Sequence, residues 1–391
     1  MKERLAVALS FALIFAFSAV DNAVSPMVAQ IAAAYSVNME AVLWFISACT
    51  SGTVLGVFLG PWLVARLGPL RLLIAATVLL AAAQAVFLLG SAQAGGLAAR
   101  FAAGFCTGSI ASVMWWLTFH GVSKKYYPAM IAVLMSARPL ATAIGVPLAG
   151  LLAWESSWQL PYWLMAGLMA ASGLGLAKVF PAGDGQAPAA GLLEGYRRAL
   201  SVPYAAQYYA GFTINRMCYF GFYAVAGIWF IEHYGLNLKA MSLALLVIGL
   251  AEALINFVVP RIIRRFGHWP TLNASLAGSL VSLLLFIWGG LELRAAVAAI
   301  TVFMLLDRVY SMALVITIPE MFPSTGDKTA FGSLNTLTAW GGLSLVSALA
   351  GRLIPLAGLR SVEVLLVAAF IIGTGLLYYV QARTVPKTKP A

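Results

Sequence analysis

Charge is what this 391-residue chain has least of: only 9% of its residues are Asp, Glu, Lys or Arg, against 62% that are hydrophobic. A water-soluble domain carries roughly 25% charged residues, because its surface must be hydrated. So few polar groups cannot cover a soluble body of this size, and a mean hydropathy of +0.92 points to a chain wrapped in lipid. Cysteine is scarce too. Cys49, Cys106 and Cys218 stand alone in apolar stretches with no Cys-x-x-Cys pair, which argues against a disulfide framework and for small buried hydrophobes. The three histidines, His120, His233 and His268, lie at connectors or span ends without metal-ligand spacing. There is no Gly-x-x-x-x-Gly-Lys-Ser/Thr phosphate loop and no His-Glu-x-x-His pair, so neither ATP hydrolysis nor an intramembrane metalloenzyme is expected. No metal and no cofactor is expected either.

Acidic residues are rarer than basic ones, 13 against 24, for a net charge of +11. An excess of that size can mark a nucleic-acid partner, so the position of each basic residue matters. Sixteen of the 24, among them Arg66, Lys125, Arg197, Arg265 and Arg383, fall in segments assigned to one side of the membrane. Only Lys239, Arg294, Arg352 and Arg360 fall on the other. That bias is the positive-inside rule: it puts both termini in the cytoplasm and reports topology, not nucleic acid. The expected location is a cell membrane of the bacterial inner-membrane type, crossed many times by a monomer. The opening Met1–Val20 looks like a secretory signal, with a basic tip and an apolar run. Its apolar stretch continues past Asp21 to about Ala34, too long for a cleaved signal, and reads as the first membrane helix.

A hydrocarbon core about 30 Å thick needs about 20 residues of helix at 1.5 Å each. Runs of that length occur near 5–34, 39–65, 72–91, 97–122, 129–153 and 160–179. Six more follow near 204–233, 239–260, 270–290, 295–319, 329–357 and 361–383. Most connectors are short, which makes successive spans antiparallel neighbours. The exception is Pro181–Pro203, opened by Gly183, Asp184, Gly185 and Pro188 and closed by a short amphipathic helix, Gly191–Leu200, with Arg197 and Arg198 near lipid phosphates. It divides the chain into an N-terminal six-helix bundle at 1–179, a linker at 180–203 and a C-terminal six-helix bundle at 204–391.

The halves echo one another. Pro61-Trp-Leu-Val-Ala-Arg-Leu-Gly68 and Pro260-Arg-Ile-Ile-Arg-Arg-Phe-Gly267 share the pattern Pro-x-aliphatic-aliphatic-x-Arg-apolar-Gly, 199 residues apart. Tyr127-Pro128 and Phe322-Pro323 lie 195 apart. A duplicated unit with an even number of spans keeps its orientation, so the bundles are parallel repeats about an axis normal to the membrane. The expected fold class is an all-α membrane protein of twelve transmembrane helices.

Twelve spans, a six-plus-six division and this connector at equivalent places resemble the major facilitator superfamily over essentially the whole chain. The family's connector runs Gly-x-Leu-Ala-Asp-Arg-x-Gly. This chain keeps Leu63, Arg66, Gly68 and a later Arg71, but has Pro61 in place of Gly and Ala65 in place of Asp. Arg100-x-x-x-Gly104-x-x-x-Gly108 in the fourth span is similar to a motif of the family's drug and proton antiporters, with Ala103 where Gln is usual. Gly145-Val-Pro147-Leu-Ala-Gly150 in the fifth resembles their second motif in shortened form. The resemblance implies alternating access through a central cavity, with these residues serving the conformational change. Physically, small residues four apart also make a groove that admits another helix backbone.

Few charges lie within the spans: Asp21, Arg100, Arg138, Arg216, Glu252, Asp307 and Arg308. Each costs at least ~2.5–3.5 kcal/mol at a helix centre, so each should face the bundle interior or an aqueous cavity. The bland alternative is a fixed ion pair that holds helices together. Asp21 and Arg100 are expected to meet if the first and fourth spans face one cavity. A carboxylate that is neutral when isolated and ionised when paired can carry a proton, which makes Asp21 the first coupling candidate, with Glu252 and Asp307 behind it. Asn22 beside it is a solute-binding candidate. Arg216, Tyr219 and Tyr223 share a face of the seventh span, and Glu252 and Asn256 share one of the eighth. Asp307 and Tyr310 share a face of the tenth, with Arg308 about 100° round the helix. Asn335 and Trp340 belong to the eleventh.

Four arginines against three acids suggest that something else supplies negative charge, because Arg cannot shed its proton. Arg138 and Arg216, from opposite halves, are therefore the first choices for an anionic group. The expected function is proton-coupled export of a small organic compound. The alternatives are organic-anion transport by exchange or proton symport and, more remotely, transition-metal export.

Overall fold

The computed structural model describes residues 2–179, 194–322 and 328–384. The opening of the linker around Pro181 to Pro188, and Pro323 of the second connector pair, lie outside the described residues. Among the described residues every regular element is a helix, and twelve are long and apolar enough to cross a membrane. The first span is α1 (Lys2–Asn22) followed by α2 (Val28–Tyr35), and α3 (Met39–Leu67), α4 (Pro69–Leu89) and α5 (Gln93–Trp116) complete the first four. The fifth is α6 (Tyr127–Leu140), a π-helical turn at Ala141–Gly145 and α7 (Val146–Glu155); α8 (Gln159–Val179) is the sixth. A short helix, α9 (Glu194–Leu200), stands in the linker. The second six are α10 (Ala205–Tyr234), α11 (Leu238–Phe266), α12 (His268–Trp288), α13 (Leu293–Met321), α14 (Lys328–Ala357) and α15 (Leu359–Thr384). Together they form two parallel-repeat six-helix bundles. Below, the face of the membrane that holds both termini is the terminal face, and the opposite one the far face.

The internal repeat is visible in the backbone itself. Gly68, between α3 and α4, has φ 80° and ψ 151°; Gly267, between α11 and α12, has φ 80° and ψ 160°. That region is open essentially only to glycine, so the same residue makes the same sharp reversal at the two equivalent places. Asn38 and Asn237, also 199 apart, precede α3 and α11 in extended conformation. The Asn237 side chain accepts from Ala240 N at 2.9 Å, capping one of the helix's free donors.

Proline explains the breaks in the first and fifth spans. Pro26 lacks an N–H and its ring opposes the carbonyl of residue 22, so α1 stops at Asn22 and the helix resumes at Val28. In the fifth span Pro139 lies inside α6 and Pro147 near the start of α7, with the π-helical turn between them. Single π turns inside α-helices commonly mark functional positions.

The small-residue motif has a packing role. A Cβ on Gly104 would overlap the Cys49 carbonyl oxygen, and one on Gly108 that of Thr53. In return, a Cβ on Gly52 would overlap the Phe101 carbonyl oxygen and one on Gly56 that of Phe105. Helices α3 and α5 therefore touch backbone to backbone. Gly145 lies against Ala19 of α1, Gly150 against Ser242 of α11, and Pro147 is buried beside them. Arg66 has its guanidinium over the Trp62 ring, 5.3 Å from the centroid, in keeping with the absence of a carboxylate at Ala65.

Contacts between the bundles run from mid-membrane to the far face. Ser47 of α3 donates to the Ser344 carbonyl of α14 at 3.0 Å, and the Ser51 and Ser344 hydroxyls meet at 2.6 Å. Gly227 N of α10 donates to Ser25 Oγ, in the break of the first span, at 3.2 Å. Gly249 of α11 lies directly on Ala143 of the π turn.

Candidate functional site

Midway along the spans, between the bundles, lies a cavity of ≈180 Å³. Its wall from the first bundle includes Ser18, Asp21, Asn22, Arg138 and Thr142. The wall from the second includes Tyr219, Tyr223, Glu252, Arg308 and Trp340. Of the residues expected from sequence, the fold therefore gathers Asp21, Asn22, Arg138, Tyr219, Tyr223, Glu252, Arg308 and Trp340 round one space.

Asp21 sits in the last turn of α1, just before the Pro26 break. Cys49 donates its thiol to Asp21 Oδ1 at 3.4 Å, and Arg100 Nη2 stands 4.0 Å from the same oxygen. The same nitrogen donates to the Asp21 backbone carbonyl at 3.3 Å. Arg100 is wholly buried, lies over the Phe87 ring at 5.3 Å, and has neither Nε nor Nη1 hydrogen-bonded. The expected pairing of the two residues is present, in a loose form. Asn22 turns its amide back to the Ser18 carbonyl at 2.8 Å.

Arg138 precedes the irregular part of the fifth span. Its guanidinium lies over Phe17 at 5.2 Å and over Trp340 at 4.6 Å, one ring from each bundle. Among the described residues it has no carboxylate within ion-pair distance and no hydrogen-bond acceptor for its side chain. Thr142, one turn on, donates to the Arg138 carbonyl at 3.3 Å.

Across the cavity, Glu252 accepts from Tyr219 at 2.6 Å, Tyr223 at 2.5 Å and Arg308 at 2.9 Å. Arg308 also donates to the Tyr219 hydroxyl at 2.8 Å. The expected 100° between Asp307 and Arg308 decides their partners: Arg308 turns to Glu252, whereas Asp307 turns to Arg216.

Arg216 does not reach the cavity. Its two terminal nitrogens donate to the two Asp307 oxygens at 2.9 and 2.8 Å, and also to Ser311 at 2.8 Å and Asn215 at 2.6 Å. It stands two turns, about 10 Å, nearer the terminal face than Tyr223 on α10. The pairing of Arg138 with Arg216 expected from sequence is thus absent from this geometry. Tyr310 packs against the Arg216 guanidinium at 5.8 Å and belongs to a separate crevice with Trp269 and Tyr378. Asn256 donates to the Glu252 backbone carbonyl at 3.1 Å, and Asn335 accepts from Tyr208 at 3.5 Å; neither lines the cavity.

Sequence reading missed Phe17, Cys49 and Thr142, which have no charge or motif to mark them. It also passed over Glu363, four residues into α15 and so read as interfacial. That carboxylate is buried and accepts from Trp229 at 2.9 Å and Arg360 at 3.1 Å, with His233 at 3.3 Å.

The profile of the Major Facilitator Superfamily matches residues 9–342. No curated protein matches the chain. Among solved structures it is similar to a bacterial homologue of the human lysosomal transporter Spinster, captured inward-facing and unoccupied: 14% identity, TM-score 0.72, covering 100% of this chain and 99% of that one. A mutant of the nucleoside transporter NupG is similar at 13% identity and TM-score 0.72, covering 97% of this chain and 99% of that one. At such identities the likeness shows the fold, and the motifs of the antiporter branch receive no separate support. With the family profile spanning most of the chain, the protein belongs to the major facilitator superfamily and is a secondary transporter, not an enzyme.

Proposed function

We propose that this protein moves a small organic solute through the central cavity by proton-coupled alternating access, with Asp21 as the coupling site. One observation carries the reading: Asp21 lines the cavity at the break of the first span, held by Arg100 only at 4.0 Å. A carboxylate so placed can take a proton without leaving a tightly bonded partner stranded, whereas Asp307, bonded through both oxygens, cannot. Glu252 also faces the cavity, but Tyr219, Tyr223 and Arg308 all bond to its carboxylate. In this reading the solute passes between residues 1–179 and 204–391, joined by a linker at 180–203. The positive-inside bias supports cytoplasmic termini in a bacterial inner membrane, with the monomer as the working unit. The Gly104, Gly108 and Gly145–Gly150 motifs favour export, although alternating access runs with whichever gradient dominates.

Purified protein in liposomes under an imposed pH gradient, screened against a solute panel, tests this. Asp21→Asn should abolish gradient-driven accumulation while leaving solute exchange. Unchanged accumulation in that variant would return Asp21 to a structural role. A second reading, transport of an organic anion, is favoured by Arg138, a cavity cation without a carboxylate partner among the described residues.

A further inference from the structure

The donors of Arg138 are unusually disposed. Rings cover its guanidinium, Phe17 from the first bundle and Trp340 from the second. Rings packed on a guanidinium offer it no hydrogen-bond acceptor and leave its N–H groups to find one elsewhere. Those N–H groups have no acceptor among the described residues, and the residue lines the cavity. A planar oxyanion fits such a fork with two parallel bonds. Beside it, Trp340 is stacked on Phe220 with centroids 6.0 Å apart and planes 19° apart, continued by Tyr219 and Tyr223. A flat ring attached to the oxyanion would meet an aromatic wall, and a space of ≈180 Å³ suits a single-ring molecule.

The charge balance points the same way. Arg308 is matched by Glu252 and Arg100 faces Asp21, which leaves Arg138 uncompensated when both acids are ionised. An oxyanion bound at Arg138 would stand close to Asp21 and repel its charge. A proton on Asp21 removes that repulsion, so proton and anion each favour the binding of the other, by the same factor in both directions. The other groups round Asp21 keep this sign: Arg100 from α5, Cys49 from α3, Tyr162 from α8, and Glu252 and Arg308 across the cavity.

We infer that the cavity takes a single-ring aromatic anion, its carboxylate or similar oxyanion held in the plane of the Arg138 guanidinium, together with a proton on Asp21. This deepens the transport reading and rests on it for the cavity's role; a proton and an anion bound together are carried together, so an inward proton gradient drives uptake and not the export the motifs suggest. Exchange of a proton for an organic cation is disfavoured by the same charge balance.

The probes are benzenesulfonate, benzenesulfonamide and benzyltrimethylammonium: one ring as an anion, a neutral molecule and a cation, none changing charge near neutral pH. Binding to the purified full chain is followed by tryptophan fluorescence. Benzenesulfonate should bind about tenfold or more tighter than either other probe, the usual scale for charge-assisted hydrogen bonds. Its affinity should fall as pH rises, and Asp21→Asn should bind it tightly at every pH. Arg138→Gln should erase the preference and Arg138→Lys keep part of it. Equal affinities for the three probes, tighter cation binding, or an affinity that rises with pH in the wild type overturns the inference, and none of these needs a variant to fold. Flux in liposomes separates the two readings: benzenesulfonate bound as described but never carried defeats transport alone, while a carried cation with benzenesulfonate refused defeats the anion site alone.

Discussion

The two bundles treat their embedded charges by different means. In the first, α3 and α5 approach through Gly52, Gly56, Gly104 and Gly108 until backbone meets backbone. Its one embedded carboxylate is then left with a partner at 4.0 Å and a guanidinium with two unbonded nitrogens. In the second, Gly373 of α15 and Gly342 of α14 likewise lie on the α10 backbone, but α13 contains no glycine and is tied to α10 and α11 by Arg216–Asp307 and Arg308–Glu252, each at hydrogen-bond distance and reinforced by hydroxyls or amides. A charge that is fully bonded holds helices in place. One that is loosely held can change its protonation. On the proposed function, the second bundle's ion pairs are framework and the first bundle's looser pair carries the proton.

The contrast is most exposed to one pair of substitutions. Asp307→Asn leaves Arg216 buried without its counter-charge and should destabilise by about 3–5 kcal/mol, as broken buried pairs do. Asp21→Asn, the same chemical change at a pair 4.0 Å apart, should cost less, about 1–3 kcal/mol. Thermal unfolding of both in one detergent decides the matter, and similar shifts for the two would break the comparison. Next in size is Gly104→Ala, which forces α3 away from α5 and should cost about 1–3 kcal/mol through overpacking. Full stability in that variant would mean that the glycines do not set the first bundle's spacing. Smallest is Tyr223→Phe, which deletes one of three donors to Glu252 and should cost about 1 kcal/mol. A loss of several kcal/mol there would mean that Glu252 depends on that hydroxyl far more than its other bonds suggest.

Much of this is legible in the chain. The twelve spans fall within a few residues of the expected runs, because hydrocarbon thickness sets helix length and every backbone group must be bonded inside lipid. Gly68 and Gly267 stand out in the sequence as a repeat, and the backbone gives both the same conformation. Eight cavity residues were identifiable because a charge in a membrane span must face inward, and helical spacing extends the inference to its neighbours. The errors have one source. Arg216, Tyr223 and Asp307 look alike as inward-facing residues, but height along the helix separates those that line the cavity from those that tie α10 to α13.

Composition and periodicity alone determined that this is a twelve-helix membrane protein with a duplicated half, since lipid imposes length and polarity on every span regardless of how the spans pack. Tertiary structure alone decided which charges are neutralised. Seven charged residues within apolar spans permit many pairings, and sequence spacing sets their angle on one helix without setting their distance to the next. Only the packing of α3 on α5 and of α10 on α13 leaves Asp21 loosely held, couples Arg216 to Asp307, and sets Arg138 in the cavity between two rings, its donors without an acceptor among the described residues.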